Sequence, residues 1–263
     1  MIARFGVRPS WCGIASLKVS VATLLTVACV LGGSDSARAQ SGASGSAHGD
    51  AALHQAAHSG DVLSLRRELD QGVDPNTTNR FGVTPLALAS RGGHGAVVQL
   101  LLESGADPNH ASPTGETPLM VAARTGVVES VASLLEHGAD PLARESWMGQ
   151  TALMWAAAER HTGVVAPLVA GGAEVDSRSD AGFTPLMFAT RLGHIETVDA
   201  LLDAGADIHQ TLPDGTGVLV AAVINAHYDL ALRLLERGAD PNASEQGWTA
   251  LHQLVWTRRP NTN

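Results

Sequence analysis

The chain of 263 residues is poor in the side chains that most often carry covalent chemistry. Its single lysine, Lys18, and its two cysteines, Cys12 and Cys29, all lie before residue 39. The rest of the chain therefore has no thiol nucleophile, no amine for a Schiff base and no P-loop lysine. The motifs G-x-S-x-G, H-E-x-x-H and C-x-x-C are also absent. We predict a non-enzymatic protein that needs no cofactor and no metal.

Basic and aromatic residues are also scarce. Lys and Arg number 17 against 26 Asp and Glu, so the formal net charge is −9, and aromatic residues make up 4% of the chain. An acidic chain repels the phosphates of nucleic acids and the headgroups of anionic membranes. We therefore expect no nucleic-acid partner.

Residues 1–39 have the organisation of a signal peptide. Three basic residues lie before an apolar run: Arg4, Arg8 and Lys18. The run, 19–31, is too short to span a membrane comfortably, and Ala37-Arg38-Ala39 provides the small residues that a signal peptidase requires. We expect cleavage to leave Gln40 first, with export to the periplasm or the cell exterior and no membrane insertion after cleavage.

A lipid-modified Cys29 is the alternative for this segment. Thr26-Val27-Ala28-Cys29 is a poor lipoprotein signal, and apolar Val30-Leu31 follows it, which disfavours this alternative. Cleavage at Gln40 would lower Lys+Arg from 17 to 13 and Asp+Glu from 26 to 25, for a net charge of −12. It would also remove both cysteines, so the exported domain would depend on its apolar core and not on disulfides. Residues 40–49, rich in Gly, Ser and Ala, are predicted to be a flexible linker.

Two markers recur along the rest of the chain with one period. A Gly-Ala-Asp-like element begins at Gly72, Gly105, Gly138, Gly172, Gly205 and Gly238, in steps of 33, 33, 34, 33 and 33 residues. A leucine recurs at Leu86, Leu119, Leu153, Leu186, Leu219 and Leu251, in steps of 33, 34, 33, 33 and 32. This period indicates a stacked array of helical repeats.

The residues within each period resemble the ankyrin repeat. Thr84-Pro85-Leu86, Gly93-His94, Leu101-Leu102 and Gly105-Ala106-Asp107-Pro108-Asn109 follow that family's pattern closely. The resemblance covers about residues 50–257. It implies an all-α solenoid of helix-turn-helix units joined by short β-hairpin turns, with about six full repeats and a C-terminal half-repeat before a tail, 258–263.

Local signals predict where the helices begin. A threonine stands where its hydroxyl would cap each inner helix, at Thr84, Thr117, Thr151, Thr184 and Thr249. In the sixth repeat Gly217 replaces threonine, so a looser start is expected there. The fourth repeat carries one extra residue near Trp147-Met148 and has Pro167 inside its second helix, which predicts a shortened or distorted helix.

The last repeat stops after one helix that contains Leu254 and Trp256. It either caps the array or belongs to a longer one, and these two apolar side chains favour the second alternative.

Most histidines fall at one place in the repeat, at the start of the second helix: His94, His161, His194 and His227. The resemblance implies a structural role for them. Equivalent positions in adjacent repeats lie about 10 Å apart by helix packing, too far for two nitrogens each about 2 Å from one zinc ion.

The resemblance further implies that the hairpin tips and the ends of the inner helices form a concave, partner-binding face. The residues assigned to it are Arg80, Phe81, Arg91, Glu116, Arg124, Trp147, Met148, Glu159, Phe183, Arg191 and Trp248. Trp and Arg often dominate interface energies. The alternative is that the aromatic rings pack against neighbouring hairpins and the arginines pair with Glu116 or Glu159.

These observations predict a monomeric, exported protein–protein interaction module whose partner is another protein. It would hold or protect an exported enzyme, or act as a secreted effector on a foreign protein. A third alternative is a fragment or regulatory domain of a larger exported enzyme.

Overall fold

Thirteen α-helices make up most of residues 44–243 and 249–257, which are the residues that the computed structural model describes. They are α1 (Ser44–Ser59), α2 (Val62–Asp70), α3 (Pro85–Gly92), α4 (Gly95–Glu103), α5 (Pro118–Thr125), α6 (Val128–Glu136), α7 (Ala152–Ala158), α8 (Val165–Ala170), α9 (Pro185–Leu192), α10 (Ile195–Asp203), α11 (Val218–Ile224), α12 (Tyr228–Glu236) and α13 (Ala250–Thr257). These residues contain no strand and one isolated antiparallel bridge, Thr211 to Gly217.

The helices form two layers that follow the order of the chain. The inner helices α1, α3, α5, α7, α9, α11 and α13 each pack against the next one in that series. The outer helices α2, α4, α6, α8 and α10 do the same, and each inner helix from α1 to α11 also packs against the outer helix of its own repeat. Because each unit contacts mainly its neighbours, the described residues form a solenoid, which confirms the predicted fold.

The core lies between the two layers. The period-marking leucines of the inner helices are buried from Leu86 to Leu219, and Leu101, Leu134, Leu168, Leu201 and Leu234 of the outer helices are fully buried. Small residues such as Ala122-Ala123 and Ala156-Ala157 are also fully buried, so adjacent inner helices approach closely. No described helix is long and apolar enough to cross a membrane.

Threonine caps begin most of the inner helices. The hydroxyls of Thr84, Thr117 and Thr184 accept hydrogen bonds from the N–H groups of Ala87, Met120 and Met187 at 3.3, 3.4 and 3.3 Å. Thr249 accepts one from His252 N–H at 3.4 Å. Thr151 is the exception: its hydroxyl is buried, makes no capping bond and has no partner in the described residues. The prediction was wrong there, and the fourth repeat lacks that stabilisation.

Several inner helices end at a residue with a positive φ. Gly93, Gly126 and Gly193 adopt φ values of 71°, 76° and 76°. The same position is occupied by Arg160 in the fourth repeat and Ala226 in the sixth, with φ values of 64° and 61°. Side chains other than glycine are strained in this region by about 1–2 kcal/mol. The helix ends of repeats four and six are therefore less stable than those of their neighbours.

The histidine of one repeat packs over the helix end of the repeat before it. His161 Nε2 donates to the carbonyl of Arg124 at 2.8 Å, and a Cβ added to Gly126 would overlap the His161 ring. His94 and His227 repeat this arrangement over Gly60 and Gly193. The predicted structural role of these histidines is confirmed.

The ring of His194 is oriented differently from the other three. It packs over the helix end of the fourth repeat, where Arg160 and not glycine holds the positive-φ position. Its Nδ1, instead of Nε2, faces a carbonyl, that of Ala157 at 3.1 Å. The Cβ of Arg160 occupies space that glycine leaves open elsewhere. The contact between repeats four and five is therefore altered at this position.

The outer helix of the fourth repeat is short, as predicted. A 3-10 turn, Thr162–Val164, comes first, and α8 then contains only six residues. Pro167 is thus the third residue of the α-helix, where an N–H has no partner within the helix. A regular helix from Thr162 would have placed the proline in its interior, at a cost of about 3 kcal/mol.

Asparagine side chains connect the loops of the regular repeats. Asn109 donates to the carbonyl of Gly138 at 2.9 Å and accepts from Asp140 N–H at 2.7 Å. Asn76 makes the equivalent pair of bonds to Gly105 and Asp107. Leu142 holds this position in the fourth repeat and cannot form them.

The N-terminal boundary differs from the prediction. Helix α1 begins at Ser44, within the segment 40–49 that we expected to be a flexible linker. Gly49 is buried, and a Cβ there would lie 2.8 Å from Val73 Cγ2. The absence of a side chain at Gly49 therefore permits close approach to Val73.

The sixth and last repeats agree only partly with expectation. Helix α11 begins after Gly217 without a side-chain cap, at the position where the regular helices begin. Helix α13 packs against α11 as the final inner helix. The side chains of Leu254 and Trp256 and the tail 258–263 lie outside the description, as does the predicted signal peptide 1–39.

Candidate functional site

A single polar side chain organises each hairpin loop of the regular repeats. Asn79 accepts hydrogen bonds from the N–H groups of Phe81 and Val83 at 2.9 and 3.1 Å. Ser179 accepts one from Phe183 N–H at 3.1 Å. Each loop is also closed by a backbone bond over four residues, such as Asn79 N–H to the carbonyl of Val83 at 3.0 Å. The loop tips are therefore held in place before any partner binds.

The loop of the fourth repeat is one residue longer, as the sequence predicts. Its closing bond runs over five residues, from Glu145 N–H to the carbonyl of Gln150 at 3.0 Å. The carboxylate of Glu145 is buried and accepts from the N–H groups of Trp147, Met148 and Gln150 at 2.5, 2.8 and 2.9 Å. A carboxylate can accept all three bonds because it has about four acceptor positions.

Trp147 lies at the tip of this longer loop. The loop is bonded to both neighbours, by Ser146 N–H to the carbonyl of Thr114 at 3.0 Å and by Asp180 N–H to the carbonyl of Met148 at 2.9 Å. The Trp147 side chain is nevertheless 83% exposed, and that of Met148 is 40% exposed. A large apolar ring thus stands in solvent on a fixed backbone.

Two arginines extend this network of loops. Arg144 donates to the carbonyl of Arg178 at 2.7 Å and to Asp180 Oδ1 at 3.1 Å. Arg178 in turn donates to the carbonyl of Thr211 at 2.9 Å. The loops of repeats four, five and six are connected by this ladder.

The first aromatic residue of the predicted face lies in the hairpin of the second repeat. The Arg80 guanidinium stands 4.7 Å from the ring centroid of Phe81, whose side chain is about half exposed. A cation–π contact at an exposed site contributes about 0.5–1 kcal/mol. Arg80 and Phe81 are thus adjacent and both accessible.

The arginines at the ends of α3 and α5 have different surroundings. Arg91 Nη2 lies 3.8 Å from Glu116 Oε2, a partly exposed ion pair. Arg124 stacks on the ring of Trp155, with its guanidinium carbon 4.9 Å from the ring centroid. Burial lowers the pKa of Arg124; Glu116 and Glu159 oppose this shift, and Arg91 adds to it. A charge held in a partly desolvated place gains from an added carboxylate.

The third arginine lies at the end of α9. Arg191 stands 5.7 Å from the ring centroid of Phe183, which in turn lies 5.4 Å from the ring of Phe188. Phe183 therefore packs within its own repeat, against the inner helix and not against a neighbouring hairpin. Arg191 remains exposed on top of it.

The predicted face thus divides into residues that are engaged and residues that are accessible. Arg91, Glu116 and Phe183 contact other side chains of the chain. Trp147, Met148 and Glu159 are exposed, and neither Arg124 nor Arg191 has a carboxylate oxygen within 4 Å in the described residues. Trp248 lies outside the described residues. The assignment of all eleven residues to a partner-binding face stays a prediction.

Sequence reasoning missed Trp155, Phe188 and Glu145. The first two are half-buried on the inner helices, Trp155 beneath Arg124 and Phe188 beside Phe183, and they occur where Leu88 and Val121 stand in earlier repeats. Comparing these equivalent positions would have shown that rings replace aliphatic residues there. Glu145 occupies the place of Asn79, Ser112 and Ser179, which are all short polar residues. This equivalence could have indicated that Glu145 organises its loop.

The remaining histidines do not suggest a metal centre. His54 is buried, with Nδ1 2.7 Å from the carbonyl of Asp50 and Nε2 3.1 Å from that of Val83. Among the residues that the structure describes, no three His, Cys, Asp or Glu side chains lie close enough to bind one ion.

Comparison with known protein families agrees with this architecture. The family profile described as ankyrin repeats (3 copies) matches residues 53–145 and 143–211, and the profile described as ankyrin repeats (many copies) matches residues 219–262. No curated protein matches the chain. Ankyrin-repeat proteins are generally non-enzymatic protein–protein interaction modules. Because these matches cover most of its length, the chain belongs to the ankyrin-repeat family.

Proposed function

We propose that this protein is an exported interaction module that binds another protein through the concave face of its solenoid. The observation that carries the proposal is Trp147, an 83% exposed tryptophan on a loop held by Glu145 and by both neighbouring loops. Exposing so large a ring to water is unfavourable by about 25 cal/mol per Å² of apolar surface. A partner that covers the ring recovers this energy, and little ordering entropy is lost because the loop is already fixed.

Export is supported by the N-terminal sequence. Positively charged residues, an apolar run and Ala37-Arg38-Ala39 occur in the order that a signal peptide requires. The acidic balance of the remaining chain favours solubility outside the cytoplasm. Mass spectrometry of the exported protein should find Gln40 at its amino terminus; an amino terminus at residue 1, or a lipid on Cys29, would contradict this part of the proposal.

Partner binding is tested by capture from periplasmic extract or culture medium. We expect Trp147→Ala to reduce capture by at least about tenfold, because a tryptophan buried at an interface typically contributes that much to affinity. Leu63→Ala is a matched control, because Leu63 is 77% exposed on the outer helix α2. The control should bind like the parent protein.

A companion variant examines the inner helices. Arg124→Ala removes the cation that stacks on Trp155 and should also weaken capture while the melting temperature stays within a few degrees. If both variants instead unfold the domain, the aromatic and basic residues serve internal packing, and the proposal fails. The identity of the captured protein distinguishes a module that accompanies an exported enzyme from an effector that acts on a foreign protein.

A further inference from the structure

Charge is segregated between the two layers of repeats two to six. The outer helices α4, α6, α8, α10 and α12 carry eight acidic residues and one basic residue. The charged residues of the inner helices α3, α5, α7, α9 and α11 are Arg91, Arg124 and Arg191, with no acidic residue among them. The inner helices are therefore positive within a chain of net charge −9, and the two acids that act on Arg124, Glu116 and Glu159, lie just outside them.

The arginines of the inner layer form an interrupted column. They stand at one position of their helices, and Ala158 holds that position in the fourth repeat. The interruption leaves a place bounded by Arg124 on one side and Arg191 on the other. Its floor contains the half-buried rings of Trp155 and Phe188. We call these four side chains and Ala158 the inner notch.

The two arginines of the inner notch form no ion pair with the described residues, and Glu116 and Glu159 act on Arg124 only from beyond 4 Å. Arg91 has Glu116 at 3.8 Å, but within the described residues neither Arg124 nor Arg191 has a carboxylate oxygen within 4 Å. Each guanidinium lies over an aromatic ring, at 4.9 Å from Trp155 for Arg124 and at 5.7 Å from Phe183 for Arg191. Stacking uses the face of the guanidinium and leaves its N–H edges free for two parallel bonds to a carboxylate.

We propose that the inner notch binds an extended acidic segment of the partner protein, with an apolar side chain over Trp155 and Ala158 and a carboxylate on each arginine. This rests on the proposed function and names the chemistry of its partner. The arginines are two repeat steps apart, about 20 Å at about 10 Å per step. An extended chain advances about 3.3 Å per residue, so the two acidic residues are about six positions apart.

A short acidic peptide fits this site better than a nucleic acid. Phosphates would also bind arginine, and bases would stack on the rings. A polynucleotide, however, places charge along its whole length and would meet the hairpin and outer-layer acids of a chain with net charge −9. Two carboxylates confined to the inner notch avoid most of this repulsion.

The test is a selection of random twelve-residue peptides displayed on a carrier, with the full protein as the target. We expect the selected peptides to be enriched in Asp and Glu at two positions five to seven residues apart, with an apolar residue between them. A synthetic peptide of the enriched sequence should bind the Arg124→Ala/Arg191→Ala variant at least about tenfold more weakly than the parent. Raising the salt concentration should weaken binding to the parent.

A matched control is Arg233→Ala on the outer helix α12. It removes one arginine, which pairs with Asp199 at 3.1 Å, and should leave peptide affinity within about twofold. If the double variant folds poorly, the single variant Arg191→Ala replaces it in the test, because Arg191 is exposed. It should also bind the peptide more weakly than the parent. Selection of neutral or basic peptides, stronger binding of a single-stranded oligonucleotide, or no selectable peptide would overturn the proposal.

The result is separable from that of the proposed function. If capture of the natural partner depends on Trp147 but the selected peptides show no preference for acids, the interaction module stands and the acidic segment is wrong. If neither Trp147→Ala nor the arginine variants change capture, the proposed function itself fails.

Discussion

The third and fourth repeats share their buried leucines but differ at four other places that stabilise an ankyrin unit. In the third repeat Thr117 caps the inner helix, and the side chain of Asn109 connects two loops. Its inner helix ends at glycine, and its outer helix is regular. The fourth has Thr151, whose hydroxyl has no partner among the described residues, Leu142 in place of asparagine, Arg160 in the left-handed region and an outer helix that starts as a 3-10 turn.

The same fourth repeat carries the most prominent features of the candidate site. The exposed Trp147, the ring of Trp155 and the small Ala158 all belong to it. Regular repeats on each side can hold an irregular one in place, because a solenoid is stabilised by the interfaces between neighbours. The comparison indicates that local irregularity is concentrated where a partner is proposed to bind.

The largest expected effect concerns the glycine at the end of the third repeat. Gly126→Ala places a Cβ against the His161 ring in addition to straining a φ of 76°. Overpacking and strain together predict a loss of about 3 kcal/mol. Gly105→Ala is the matched control, since Gly105 has a φ of 88° with nothing within 4 Å of the added Cβ, and should lose about 1 kcal/mol. Urea unfolding measures both; equal losses would show that the histidine contact is unimportant.

The third and fourth repeats also differ in the asparagine side chain that connects neighbouring loops. Asn109→Ala removes bonds to Gly138 and Asp140 and should reduce the free energy of unfolding by about 1–2 kcal/mol. Leu142→Asn introduces the missing amide into the fourth repeat and should increase it by about 0.5–1 kcal/mol. The midpoints of thermal and urea denaturation should therefore fall in Asn109→Ala and rise in Leu142→Asn. A destabilised Leu142→Asn variant would mean that the loops of repeats four and five are placed differently.

The threonine caps provide a smaller difference. Thr117→Val deletes a capping bond of 3.4 Å and should cost about 1 kcal/mol. Thr151→Val removes a buried hydroxyl without a partner in the described residues and should be neutral or slightly stabilising. Losses of similar size in the two variants, measured by chemical denaturation, would contradict this account of the fourth repeat.

The smallest effect involves Arg160. Arg160→Gly relieves left-handed strain but gives glycine more freedom when unfolded, so the net gain is about 0.5 kcal/mol. Ala226→Gly should gain a similar amount and is the control, because it relieves the same strain at a φ of 61° without removing an arginine.

The Arg160 variant should also change the titration of Glu196. The pKa of Glu196 lies below its usual value, mainly through its own backbone N–H and then through the hydrogen bond and charge of Arg160. A lowered carboxyl pKa stabilises the fold above the unfolded value of about 4.5 and loses that effect as the pH falls through the folded value. NMR should find a higher Glu196 pKa in Arg160→Gly and no change in Ala226→Gly.

The sequence predicted the elements that repeat, because a period of two markers averages over local exceptions. Leu86 and its buried equivalents, the capping threonines other than Thr151 and the effect of Pro167 followed from the repeat pattern and helix chemistry. The extra residue near Trp147 was also predicted, from a step of 34 in place of 33. These features depend on residues close in the chain.

What the sequence did not reveal depends on contacts between repeats. The stacking of Arg124 on Trp155 and the turned ring of His194 both require the placement of neighbouring units. Helix α1 was missed before Asp50 because its Gly and Ser content is typical of linkers, whereas the helix begins at Ser44 and Gly49 is buried beside Val73. Tertiary packing overrides helix propensity in such cases.

The most direct test of the account is hydrogen–deuterium exchange of the protein with and without its captured partner. The account predicts that protection on binding is confined to the hairpin and inner helix of repeats three to five, which comprise residues 112–125, 145–159 and 179–192. Amides of the outer helices α4, α6, α8 and α10 should exchange at unchanged rates. Protection of the outer helices with an unchanged inner layer would place the partner on the opposite surface and contradict the account.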